Sequence, residues 1–308
     1  MPQGPPHLLP QGQPAPTHQH MHAQQAPVRQ VPAQQMPGQH FPPGQPAGHP
    51  AQVGGHVGGG NAGFGRVLLS EWTKIRTVRS TMWTLAVIVL LILGLGVLLA
   101  ATVNPKRDDD YVSIALIGVI IAQLAAGTLG VLTISAEYTT GMIRTTLTAY
   151  PRRIQVLVAK GLVFAGLMFA VGLVTMGLTA VIGKSMLTSR IGDSSADVDL
   201  FRSVVGSSLY LAVIGLFGLG FGVLLRHSAG AITALMGFIL LPMIIGPFLP
   251  HSVGEKVMQY SPMFALGKLI GGGDGDGGPG PWPSLLLIAV YAAIALIAGG
   301  IRLRSRDV

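Results

Sequence analysis

The sequence predicts an all-α membrane protein: six transmembrane helices, preceded by an interfacial elbow helix and a disordered N-terminal tail. Three observations predict it. Only 10% of the 308 residues are charged, against roughly 25% in soluble domains, and the mean hydropathy is +0.55. Six apolar runs follow one another, at about 82–102, 112–135, 155–183, 203–225, 229–250 and 283–301. A helix needs roughly 20 residues to cross the hydrocarbon core, which five runs satisfy and the last misses by about one. Lys and Arg also alternate from one side of the runs to the other, as in a multi-pass protein.

The tail, residues 1–65, holds 13 of the 22 prolines and seven of the nine histidines, with Arg29 as its one charged side chain. So little apolar surface cannot offset chain entropy, so the tail is expected to be disordered and the permanent structure to lie in residues 66–308. His18, His20 and His22 alternate, but no acid or cysteine completes a metal site with them. No apolar stretch marks a cleaved leader here, so the first span is expected to direct insertion.

Residues 66–81 read as the elbow. Leu68, Leu69, Trp72 and Ile75 recur at helical spacing, and Arg66 and Lys74 fall away from them. Arg76 and Arg79 do not segregate, but long cationic side chains reach headgroups by snorkelling. The spans follow. Backbone polar groups find no water in lipid, so runs of this length must be helices rather than barrel strands. The last run has Arg302 and Arg304 as anchors. Small residues four apart, Gly118/Ala122/Ala126/Gly130, Gly166/Ala170 and Gly218/Gly222, allow helices to approach closely. Pro242, Pro247 and Pro250 are expected to kink or end the fifth helix.

Charge sets the orientation. One side carries twelve cations against three acids, the other seven against nine. The basic side is expected to be cytoplasmic, with both termini inside the cell membrane. The net charge of +8 is thereby explained by topology and calls for no nucleic-acid partner.

The stretch 134–160 is unlike the rest. It passes through Glu137, Tyr138, Thr140 and Gly141, then reads as a short helix over 142–149 carrying Arg144, Thr145 and Thr146. Pro151 breaks it, because the residue before proline is pushed out of the helical region. Arg152 and Arg153 precede the third run, where the helix dipole disfavours cations, so they want an anionic partner. A connection between two membrane helices needs no helix of its own. One that has it, with exposed charge and hydroxyls, is a candidate docking element.

The run Glu137-Tyr138-x-Thr140-Gly141-Met142-Ile143-Arg144-Thr145-Thr146-Leu147, with Pro151-Arg152-Arg153 and Lys160, resembles the first cytoplasmic loop of bacterial type-2 ATP-binding-cassette (ABC) exporter permeases. The run Glu71-Trp72-Thr73-Lys74-Ile75-Arg76, with Arg79-Ser80-Thr81, resembles that family's lead into its first membrane helix. The resemblance covers about residues 66–303. It implies a permease subunit whose loop 137–153 couples to a separate ABC ATPase. It also implies a second permease copy or a sister permease as partner, and ATP and Mg bound by the ATPase rather than by this chain. Glu137 is expected to cap the loop helix or to pair with an arginine.

Several chemistries are missing. There is no cysteine, hence no disulfide, thiolate site or cysteine nucleophile. Gly183-Lys184-Ser185 looks like the end of a phosphate-binding loop at an outer helix end, but Leu178 stands where the first glycine belongs. Gly60 to Gly65 has the glycine spacing, but Arg66-Val67 follows it. Asp274 and Asp276 open a calcium-like loop whose closing glutamate is replaced by Leu285, so a flexible outer turn is expected. His227 and His251 fall at opposite sides, and no catalytic or metal cluster is visible. No span carries a central acid, Lys or Arg, which argues against ion-coupled secondary transport. Gln123, Thr128, Thr175, Thr179, Ser207, Ser208, Tyr210 and Tyr291 are the polar groups within the spans, either lining a path or bonding helix to helix. A multi-pass scaffold or regulator that transports nothing, and a secondary transporter, remain the alternatives.

Overall fold

The computed structural model describes residues 4, 63–142, 153–194, 199–271 and 277–305. The chain divides into two units, Met1–Val57 and Gly58–Val308, and the second holds every helix described below. The expected disordered tail lies outside the described residues, apart from Gly4 and 63–65.

All regular structure among the described residues is helical: α1 Phe64–Thr77, α2 Arg79–Thr102, α3 Tyr111–Leu116, α4 Gly118–Thr139, α5 Arg153–Ile191, a π-helical turn Phe201–Gly206 leading into α6 Ser207–Leu225, α7 Ser228–Ile245, a 3-10 turn Gly246–Phe248, α8 His251–Gln259, α9 Pro262–Ile270 and α10 Pro281–Ser305. Six segments are long and apolar enough to cross a membrane: Arg79–Thr102, Tyr111–Thr139, Ile154–Ile191, Phe201–Leu225, Ser228–Phe248 and Pro281–Leu303.

α6 is the centre. It packs most extensively against α4 and α10, then against α5. Glycine makes this possible at the α4–α6 crossing. A Cβ on Gly130 would overlap the Gly215 carbonyl, and one on Gly218 would overlap the Gly127 carbonyl. The four-residue spacing of small residues thus marks a real backbone contact on these two helices. Gly166 is different: nothing approaches its Cβ position within 4 Å.

Three elements depart from the sequence expectation. The second apolar run is two helices, α3 and α4, meeting at Ile117. Asp110 caps α3 by accepting from the amides of Val112 at 2.8 Å and Ser113 at 3.1 Å, and Gly118 lies so close to α2 that a Cβ would press on the Leu91 and Ile92 carbonyls. The third run is extended by polar residues into a helix of 39 residues, about 58 Å at 1.5 Å per residue and so nearly twice the hydrocarbon thickness. Gly183-Lys184-Ser185 therefore sits inside α5 rather than at its end. The far end of α5 is tied back by Arg190, which donates to the carbonyls of Ala100 at 2.7 Å and Val103 at 3.3 Å and to Asn104 Oδ1 at 3.0 Å. A cation suits those terminal carbonyls of α2.

The third departure is the pair α8 and α9, which the apolar pattern does not announce because each has only nine residues. The signals are local. Pro250 precedes α8, and Ser261 caps α9 by accepting from the Phe264 amide at 3.2 Å, with Pro262 at the first helical position. α9 buries Pro262, Ala265, Leu266, Lys268, Leu269 and Ile270 against α10, α7, α3 and the π-helical turn. Among the prolines of the fifth run, Pro242 is accommodated inside α7, and the helix gives way to the 3-10 turn that contains Pro247.

Candidate functional site: a buried charge cluster joining elbow and loop

At the loop end of the bundle, four charged side chains from three helices meet. Glu71 and Lys74 come from α1, three residues apart and hence on one face. Glu137 comes from the last turn of α4, and Lys160 from two turns inside α5. Lys74 Nζ donates to Glu71 Oε1 at 2.7 Å and to Glu137 Oε1 at 3.1 Å. Lys160 Nζ donates to the same Glu137 oxygen at 2.9 Å and to Glu71 Oε2. The side chains of Glu71, Lys160 and Glu137 are only 1%, 2% and 8% exposed, and that of Lys74 is 24% exposed. Among the described residues, two carboxylates balance two ammonium groups. Neutrality and mutual bonding are the condition under which such charges can be buried at all. Burial lowers the pKa of Lys74, but the bond to Glu71 and the charge of Glu137 outweigh it, so the ammonium is held above its usual 10.5.

Apolar packing holds the same joint. Val67 of α1 packs with Val156 and Ala159 of α5, with Leu68 against them. The apolar side of the elbow and the side packed on α5 coincide only in part. Val67, Glu71 and Ile75 are buried, while Leu69 and Trp72 are exposed. The helix is rotated so that Glu71 reaches Lys160, leaving Leu69 and Trp72 as the outward apolar surface. Arg76 and Arg79 are exposed as well. The partners of Glu137 are Lys74 and Lys160, not an arginine, and its Oε2 is buried without a hydrogen bond.

A second joint lies beside the first. Tyr138 is half-buried, with the Arg226 guanidinium 5.5 Å from its ring centroid, a cation–π contact. Arg226 ends α6 in the left-handed conformation, at φ 55°. Its Nη2 donates to the Arg302 carbonyl at 3.2 Å, and Arg302 Nη1 donates to the Leu224 carbonyl at 2.7 Å. The end of α4 is thereby bound to α1 and α5 through Glu137, and to α6 and α10 through Tyr138. Gly141 follows at φ +70°, a left-handed conformation that glycine adopts readily. Ile143, Arg144, Thr145, Thr146, Pro151 and Arg152 lie outside the described residues, as do most of the expected loop helix and the Asp274–Asp276 turn. Arg153 opens α5.

The structure therefore brings together Glu71, Lys74 and Glu137, which the sequence placed in two separate motifs, and adds Lys160. The sequence names Lys160 as part of a motif without giving it a role. A single Lys in an apolar run shows only that it needs a partner, and its acids lie 89 and 23 residues away. Among the described residues no group of His, Asp and Glu is arranged to hold a metal.

Five of the polar groups inside the spans bond within the chain, whereas the Ser207 hydroxyl is buried without a partner among the described residues. Tyr210 places its hydroxyl 2.6 Å from Gln123 Oε1 and 3.0 Å from the Pro262 carbonyl, two acceptors for one hydrogen. Gln123 Nε2 donates to the Ile120 carbonyl at 3.0 Å and to Met263 Sδ at 3.2 Å. Thr128, Thr179 and Ser208 donate to carbonyls of their own helices. A 470 Å³ groove between α5, α6 and α10 is lined by apolar side chains and the glycines Gly161 and Gly300. No family model matches the chain, and no curated protein matches it either.

Proposed function

We propose that this multi-pass membrane protein is the permease subunit of an ABC-type exporter, driven by a separate ATPase that docks on loop 137–153. The observation that carries the reading is the charge cluster. The first residue of the loop, Glu137, is bonded to the elbow and to the third span at once. A force applied to the loop therefore moves α1, α4 and α5 together, which is what a lever between a docked motor and a membrane pathway requires. Nucleotide binding in the partner would move this joint and switch the helices between inward- and outward-open states. A substrate shifts that equilibrium only by its differential affinity for the two. The pathway would be built with a second copy or with a sister permease, as the resemblance implies.

The testing experiment is affinity purification in mild detergent from cells expressing the parent or Arg144→Glu at matched membrane levels. Parent protein should bring down an ATPase, and the variant should not. An interfacial charge partner left unpaired costs on the order of 2–5 kcal/mol, enough to empty the complex at ordinary concentrations. Full ATPase recovery and transport with Arg144→Glu would sink the docking assignment. Recovery of neither ATPase nor transport with the parent would favour the scaffold reading.

Orientation has its own test. The chain contains no cysteine, so single cysteines report without background. Asp109→Cys should react with an impermeant thiol reagent added to intact cells, and Thr140→Cys should react only after permeabilisation. Labelling of position 140 from outside would reverse the topology.

A further inference from the structure

At the end of the bundle away from the charge cluster, Lys268 is 3% exposed. Among the described residues its ammonium has two contacts. It donates to the Gly277 carbonyl at 2.9 Å and lies 5.2 Å from the centroid of the Phe264 ring. No carboxylate among the described residues pairs with it. Burying an ammonium group without a counter-charge is costly, and one carbonyl and one ring face offset only part of that cost. A lysine ammonium has three donors, so two remain unused.

Lys268 also lines a cavity of about 270 Å³, together with Met243, Met258, Ser261, Met263 and Phe264. The other polar atoms of this wall are engaged. The Ser261 hydroxyl caps α9, and Met263 Sδ accepts from Gln123. Among the described residues, Lys268 is thus the wall's one unsatisfied charge, in a chamber lined mostly by thioethers and a ring. Thioether side chains adjust to apolar groups of varied shape. The volume sits just below the usual range of small-ligand sites, about 300–1,000 Å³, enough for a headgroup and the first part of a chain. Beyond Met243, the segment continues into Ile244 and Phe248, both exposed, the latter at 86%. That surface can cover the rest of an apolar tail.

We infer that the α7–α8–α9 cavity is a binding site for an amphipathic monoanion, whose carboxylate or phosphate pairs with Lys268 and whose tail lies against Met243, Met258 and Phe264. The inference does not depend on the exporter reading. It requires no ATPase and concerns the opposite end of the molecule.

The test uses the full chain in phosphatidylcholine nanodiscs and a dansyl-labelled undecanoic acid, with its methyl ester as the uncharged twin. The acid should bind roughly tenfold more tightly than the ester, about 1.4 kcal/mol for the charge contact. Lys268→Met should abolish the difference, and Lys268→Arg should keep it. Equal binding of acid and ester by the parent would overturn the site, as would an unchanged preference in Lys268→Met. Should Lys268→Met fail to fold, Met258→Trp fills the cavity from a partly exposed position and should weaken the acid while leaving the fold intact. Undiminished binding by a folded Met258→Trp protein rejects the cavity as the site. Adding phosphatidylglycerol to the disc separates two supporting outcomes: displacement of the probe identifies a lipid phosphate as the natural headgroup, and retention identifies a free amphipathic acid. Binding that appears only after Asp274→Asn and Asp276→Asn would show that these acids already neutralise Lys268, and would refute the proposal.

Discussion

Gly218→Ala is expected to be among the most damaging single-methyl additions in the bundle. The new methyl would overlap the backbone carbonyl of Gly127, and the opposite glycine, Gly130, meets the Gly215 carbonyl in the same way. A side chain in the way can rotate, but a helix backbone can yield only by moving the whole helix. Overpacking typically costs about 1–3 kcal/mol, and contact between two backbones places this one at the upper end. Gly166→Ala is the control. Nothing lies within 4 Å of its Cβ position, and alanine favours a helix over glycine by up to about 1 kcal/mol. Thermal unfolding in detergent should therefore move in opposite directions for the two variants, with Gly130→Ala following Gly218→Ala. Equal transitions for all three would mean that α4 and α6 are not in backbone contact.

The second large effect is expected from Lys160→Met. The methionine has nearly the same length but leaves Glu71 and Glu137 buried with, among the described residues, only Lys74 between them, a net negative charge. Removing one partner of a buried ion pair costs about 3–5 kcal/mol, because the remaining charge is uncompensated. Glu137→Gln with Lys160→Met restores neutrality, leaving the Glu71–Lys74 pair. The double variant should recover much of the loss, with a coupling of about 1–3 kcal/mol in the double-mutant cycle. Additive losses would show that the two side chains do not share one network. This measurement concerns the fold alone, so its result stands whether or not an ATPase binds the loop.

These two regions show what the sequence makes legible. Span number, helix type and the α4–α6 glycine contact follow from length, apolarity and four-residue spacing, because lipid leaves a backbone few options. The buried face of α1 does not follow. Leu69 and Trp72 carry the apolar signal, yet a carboxylate, Glu71, turns inward beside them, and only its partners, the neighbouring Lys74 and the distant Lys160, make that tolerable. Apolar periodicity measures affinity for an apolar medium, and beside a membrane that medium lies outside the protein as well as inside. α8 and α9 escape a reading based on spans because they are too short to cross. Their capping residues, Pro250, Ser261 and Pro262, are visible only to a residue-by-residue search. The loop motif Glu137 to Arg153 was legible as a motif, while its grip on the elbow depends on tertiary geometry.

The charge cluster also bears on how the chain is made. Synthesis runs from the N-terminus, so Glu71 emerges 89 residues before Lys160, with two spans between them. Until the third span is threaded, Glu71 and Glu137 have Lys74 as their only lysine within the cluster. The first helix is therefore expected to dock fully only once the third span is in place, and a ribosome-bound chain truncated just before position 160 should carry a first helix that has not yet settled.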